Sequence, residues 1–150
     1  MESQATIAKK RFEMENNVED EKIYHFDEQQ LQVLLSQQRP WKKDPEHFKK
    51  VRISAVALIK MALHAQSGGD IEVMGAMQGY PVGDTMYVMD VYGLPVVGTE
   101  TRVSANDDAA PFQLDHQDKS EKVERPEYVV GWYHSHPGYG CWLSGIDVKT

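Results

Sequence analysis

Polar and apolar positions divide the chain into a poorly patterned start and a strongly patterned remainder. From Met1 to about Lys43 the apolar residues are scattered among Glu, Asp, Gln and Lys, too thinly to fill a core, and residues 1–43 read as a polar N-terminal extension. Within it Ile23, Tyr24, Phe26, Leu31, Val33, Leu34 and Leu35 can form a short amphipathic helix, with Trp41 after Pro40 anchoring its end. Plain disorder is the alternative, and such a composition leans towards it. Patterning sharpens at Asp44-Pro45, an N-cap followed by a proline at the first helical position. The predicted helix runs through Phe48, Val51, Ile53, Val56, Ala57, Ile59, Lys60, Leu63 and His64 to Ser67-Gly68-Gly69, where glycine suits the left-handed C-terminus. Two strand-like runs, Ile71 to Gln78 and Thr85 to Tyr92, flank the turn signal Gly79-Tyr80-Pro81-Val82-Gly83-Asp84 and predict a hairpin. The methionines Met74, Met77, Met86 and Met89 read as core filler. Thr99 to Glu127 has no clean period and contains Pro111 and Pro126, which predicts a long loop with some helix, either a solvated face or a lid. Tyr128 to His134 is apolar on both faces and predicts a third, central strand.

Composition narrows the class. A length of 150 residues suits one domain with a tail. Hydrophobic residues at 41% and a mean hydropathy of −0.55 exclude a membrane protein. With 16 basic against 23 acidic residues and no basic patch, a nucleic-acid partner is excluded as well. The single cysteine, Cys141, can form no internal disulfide, and the N-terminus has no apolar signal-peptide core, so cytoplasm and nucleus are the expected address.

The segment from Gly131 to Asp147 carries the chemistry. His134 and His136 stand two apart at a strand end, so both imidazoles point to one side and can share an ion. Pro137 ends the strand, and Ser144-Gly145-Ile146-Asp147 reads as a helix start with Ser144 as N-cap and Asp147 facing back towards the histidines. Two imidazoles and one carboxylate with water in the fourth position make the open tetrahedral Zn²⁺ shell of a hydrolase. With both histidines committed to metal, Cys141 lacks a base for nucleophilic work and is expected to be a buried structural thiol.

His134-Ser135-His136-Pro137 followed by Ser144-x-x-Asp147 resembles the signature of the JAMM (MPN-plus) metalloprotease family. The resemblance implies an α/β fold, a curved mixed sheet flanked by helices, over residues 44–150, with an insertion-like loop at about 99–127. Further family strands and helices would follow Thr150, so the C-terminal part of the MPN fold is expected to be missing. It also implies that Glu72 of Ile71-Glu72-Val73-Met74-Gly75 is the general base, since the shell above holds no free carboxylate for the water's proton. Taken alone, an acidic residue in an apolar strand is more often solvent-facing. Ser144 matches the serine that supports the oxyanion, and a plain N-cap hydroxyl is an equal reading. Pro40-Trp41, Ser67-Gly68-Gly69, Leu94-Pro95 and Gly98-Thr99-Glu100-Thr101-Arg102-Val103 are most similar to the signalosome branch of the family. That likeness implies a zinc isopeptidase that removes a ubiquitin-like modifier from cullins and assembles with other signalosome subunits, a sister MPN subunit among them. A proteasome-lid-like deubiquitinase and a non-catalytic MPN scaffold are the alternatives. Glu100 would be an autoinhibitory carboxylate over the metal or half of a surface pair with Arg102.

Overall fold

The computed structural model of the chain describes residues 3–15, 27–96, 98, 109–123, 125, 127–145 and 147–149. It falls into two units, Met1–Pro40 and Trp41–Thr150. The first carries helix α1 (Gln4–Glu15) and helix α2 (Glu28–Val33), which continues into a π-helical turn at Leu34–Gln38. Asp27 caps α2 by accepting the Gln30 N–H at 3.1 Å. Local helix therefore stands where disorder was the favoured reading, while Ile23, Tyr24 and Phe26 lie outside the described residues.

In the second unit, strand β1 (Lys50–Ile53) leads into helix α3 (Ala55–Gly68), followed by the hairpin β2 (Met74–Val82) and β3 (Thr85–Gly93), helix α4 (Ala109–Lys122) and strand β4 (Tyr128–His134). The sheet order is β1-β3-β2-β4, with β1 parallel to β3 and both other pairs antiparallel. A mixed α/β sheet with helices is thus present as expected. The helix does not begin at Asp44-Pro45, however. Asp44 closes only a turn, accepting the Glu46 N–H at 3.0 Å, and the β-branched Val51 and Ile53 pair with Met86 and Val88 as a strand. Ser54 is the true N-cap: its Oγ accepts the Ala57 N–H at 3.0 Å and its hydroxyl donates to the Met89 carbonyl at 2.7 Å, tying the helix start to β3.

The hairpin turn is also tighter than predicted, because β2 runs on through Tyr80, Pro81 and Val82 and only Gly83-Asp84 connects the strands, with Gly83 at φ 57°. Pro111 does not break α4; it occupies the first turn, where an N–H would have no intrahelical partner. Residues 99–108, including Glu100, lie outside the described residues.

Side chains divide between the two faces of the sheet. Ala57, Val88 and Val91 are buried under α3 with Met61, Met77 and Tyr133 packed around them. On the other face Met74, Ala76, Tyr92, Leu94 and Ala109 of α4 form a second cluster against Val96 and Trp132. Of the four methionines read as filler, Met74 is buried and Met77, Met86 and Met89 are half-buried. β4 differs from expectation: it is an edge strand among the described residues, and none of its positions is fully buried. An apolar run on both faces therefore reflects two flanking clusters here, not two flanking strands. No helix among the described residues is long and apolar enough to cross a membrane.

Candidate metal centre

The end of β4 meets the start of β2, with Met74 directly opposite His134. Strand alternation sends His134 and His136 to one side of this junction. Glu72 reaches the same place from the loop just before β2, not from within a strand as expected, and is 3% exposed. Glu72, His134 and His136 each offer a donor atom within 4.8 Å of the others. The two Nε2 atoms are 2.7 Å apart, and Asp147 Oδ2 lies 3.9 Å from His134 Nε2. Two donors about 2.1 Å from one ion in a tetrahedral shell stand roughly 3.4 Å apart, a value the two distances bracket.

The supporting contacts set the donors' orientation. His136 Nδ1 faces the Gly140 carbonyl at 2.7 Å, so that nitrogen carries the proton and Nε2 presents its lone pair to the centre. The Tyr139 hydroxyl donates to Glu72 Oε1, and the Tyr139 ring lies 4.4 Å from that of His136. Trp142 meets the His136 ring edge-on at 5.7 Å. A carboxylate this buried, with the neutral Tyr139 hydroxyl beside it and two imidazoles at hand, is a strong attractor for a cation. Among the described residues the donor set therefore fits a divalent ion of the zinc type.

Asp147 is held differently. It opens a short 3₁₀ turn (Asp147–Lys149), and its N–H donates to Ser144 Oγ at 3.2 Å while its Oδ2 accepts the Ser144 N–H at 2.6 Å. This reciprocal cap is the helix start anticipated from Ser144-x-x-Asp147. Hydrogen bonding from the Ser144 side chain, and next from its backbone N–H, holds the Asp147 carboxyl below the usual carboxylate range, with the nearby histidines adding a smaller push the same way. That direction favours the anionic form, the one a metal donor needs. The tight trio is nonetheless Glu72, His134 and His136, with Asp147 one step outside it.

Cys141 is exposed, contrary to the buried thiol expected, because the segment after Gly138 loops outward and exposes Trp142 and Leu143 as well. Gly138, at φ 76°, makes that turn. Tyr139 and Ser135 were missed as site residues. Their only sequence signal was position, inside the run that carries the ligands.

A mixed α/β sheet with a histidine and carboxylate cluster where one strand ends beside another defines a chain with a candidate hydrolytic metal centre. Residues 46–150 match the family described as JAB1/Mov34/MPN/PAD-1 ubiquitin protease, and the chain belongs to that family. It is 52% identical over 156 aligned residues to COP9 signalosome complex subunit 5a of Arabidopsis thaliana, covering 99% of this chain and 43% of the relative. It is 57% identical over 148 residues to COP9 signalosome complex subunit 5 of Gibberella zeae (95% and 43%) and 51% identical over 148 to that of Drosophila melanogaster (95% and 45%). The chain thus spans less than half the length of these relatives. The solution structure of protein DSY2949 from Desulfitobacterium hafniense shares the fold at a TM-score of 0.54 and 23% identity, over 66% of this chain and 65% of that one.

Proposed function

We propose that this chain supplies the catalytic centre of a zinc isopeptidase of the signalosome, which removes a ubiquitin-like modifier from cullins in cytoplasm and nucleus alongside a sister MPN subunit. The observation that carries the reading is the buried Glu72 carboxylate converging with two imidazole nitrogens, in a chain about half identical to proteins named as signalosome subunit 5. His134, His136 and Asp147 would hold the metal. Zinc, when bound, supplies a Lewis acid for the scissile carbonyl and lowers the proton affinity of water. Glu72 accepts the proton of the attacking water on a carboxylate oxygen and passes it to the departing lysine amine. Tyr139 keeps that carboxylate turned towards the histidines by donating to its Oε1. Ser144 Oγ is occupied in the cap of Asp147 and, in this reading, also faces the tetrahedral oxyanion.

The test is elemental analysis together with conjugate cleavage. The chain, and a version extended to the length of its relatives, should each hold close to one zinc. Glu72→Gln in the extended version should keep the metal and lose hydrolysis, because the amide cannot take a proton. Cleavage by the Gln variant at a near wild-type rate would assign the base elsewhere. Faster cleavage of polyubiquitin than of the cullin conjugate would favour the deubiquitinase alternative, and zinc without either cleavage would favour a scaffold.

A further inference from the structure

The residues that alternate with the two histidines are tied down on the opposite side. Tyr133 turns to the α3 face, where its hydroxyl meets His64 Nδ1 at 2.8 Å. Ser135, between the histidines, donates its N–H to the Val73 carbonyl at 3.0 Å, and its Oγ accepts the Val73 N–H at 3.0 Å. Val73 directly follows Glu72. The ladder between β2 and β4 ends at Met74 and His134, so it does not reach this far. Ser135 therefore provides a two-point joint between the strand end that carries His134 and His136 and the loop that carries Glu72. Its backbone half needs no particular side chain, whereas its hydroxyl half does, and without it the half-buried Val73 N–H loses its partner.

We propose that Ser135 is a positioning residue of the metal centre, locking the Glu72 loop to the strand end that carries His134 and His136, with the Tyr133–His64 pair fixing that strand end to α3. The inference rests on the metal-centre reading above. An imidazole pair and a carboxylate on separate segments bind one ion tightly only when their spacing is set in advance, and partners behind the ligands set it. The bond from His136 to Gly140 orients one ring within its own loop and the Tyr139 hydroxyl reaches the Glu72 side chain, whereas Ser135 ties the backbone next to Glu72 to the strand end.

The experiment measures zinc affinity of the full 150-residue chain by competition with a chromophoric chelator, for the wild type, Ser135→Ala, Ser135→Thr and Tyr133→Phe. Ser135→Ala should bind zinc about 10–100-fold more weakly, the range seen when ligand-orienting groups are lost. Ser135→Thr keeps the hydroxyl and should restore affinity to within about threefold of wild type, a rescue that separates positioning from mere packing. The visible spectrum of the Co²⁺-loaded chain should change in Ser135→Ala and not in Ser135→Thr. Equal zinc affinity of wild type and Ser135→Ala overturns the positioning role alone. No zinc binding by the wild type overturns the metal-centre reading, and this role with it. If Ser135→Ala does not fold, Tyr133→Phe decides: a loss of about 10-fold in affinity supports the proposal and unchanged affinity overturns it.

Discussion

Gly75 faces Tyr133 directly across the β2–β4 ladder, and the outer end of the tyrosine ring fills the space a side chain there would need. A Cβ added at Gly75 would sit 2.4 Å from Cε1, Cζ and the hydroxyl oxygen of Tyr133. Carbon atoms in good contact are about 3.5–4.0 Å apart, so Gly75→Ala must push the ring back by more than about 1 Å. That displacement lengthens the 2.8 Å contact with His64 Nδ1 beyond hydrogen-bonding range. Overpacking costs about 1–3 kcal/mol, and leaving the phenol and imidazole without each other adds about 1–3 kcal/mol. Tyr133 and His64 are only half-buried, so the lower part of the sum applies, about 2–4 kcal/mol. For a unit near one hundred residues this lowers Tm by roughly 10–20 °C. Urea unfolding of metal-free protein, followed by tyrosine and tryptophan fluorescence, measures it. Gly145→Ala is the control, since nothing lies within 4 Å of its added Cβ. A loss below about 0.5 kcal/mol in Gly75→Ala would refute the reasoning, since it would mean that the ring moves aside and keeps its His64 bond.

His136→Ala should abolish stoichiometric zinc binding, read by elemental analysis after dialysis, because it deletes one of few ligands; full retention of zinc would sink the metal site. Burial lowers the proton affinity of His64, so the unfolded chain takes up a proton near the ordinary value of 6.5 that the folded chain refuses. Stability of metal-free protein should therefore fall as pH drops below about 6.5, and His64→Gln should flatten that part of the urea-midpoint profile; an unchanged slope in the variant would show that His64 contributes nothing to it. β4 is an edge strand among the described residues, with Val129 43% exposed, and the outer side of α3 exposes Val56, Ile59 and Leu63. Sedimentation should show concentration-dependent association of the 150-residue chain that Val129→Lys reduces, and strictly monomeric wild type at high concentration would contradict it.

The chemistry-bearing segment was legible because its logic is local. His134 and His136 needed only strand alternation to share a side, and Ser144 and Asp147 needed only the spacing of a cap. Glu72 was reached through the family resemblance, since nothing in Ile71-Glu72-Val73 tells a buried acid from an exposed one; its burial depends on segments more than sixty positions away. The strand at Lys50–Ile53 was hidden because Val51, Ile53, Val56 and Ile59 also satisfy a helical period, and the Asp44-Pro45 signal pre-empted the real cap at Ser54. Pro111 misled in the opposite sense, since proline stops a helix only beyond its first turn. The outward loop that exposes Cys141 is set by Gly138 at positive φ, a choice open to glycine anywhere and therefore silent in the sequence.

The orientation of the whole centre turns on one residue that does not pair. Along β4, Val129 pairs with Gln78 and Gly131 with Met77, so Val130 has no partner and forms a bulge. A matching bulge lies on the other side of β2, where Gly79 pairs with Val88 and Gln78 with Asp90, leaving Met89 unpaired. Each shifts its strand by one position, which reverses the faces of every side chain beyond it. In β3 the shift lets Val88 and Val91 both lie under α3 and sends Tyr92 to the α4 side. In β4 it places Trp132 and His134 on the α4 side and turns Tyr133 towards His64. Without the bulge His134 would face α3, where His64 lies, Tyr133 would turn away from that histidine, and the two imidazoles could not meet Glu72. Neither bulge leaves a mark in the alternation of Tyr128 to His134 or Thr85 to Tyr92, because an apolar run reads the same in either phase. The candidate metal centre is thus positioned by backbone irregularity as much as by donor spacing, and a deletion of Val130 should cost zinc binding even though every candidate ligand is retained.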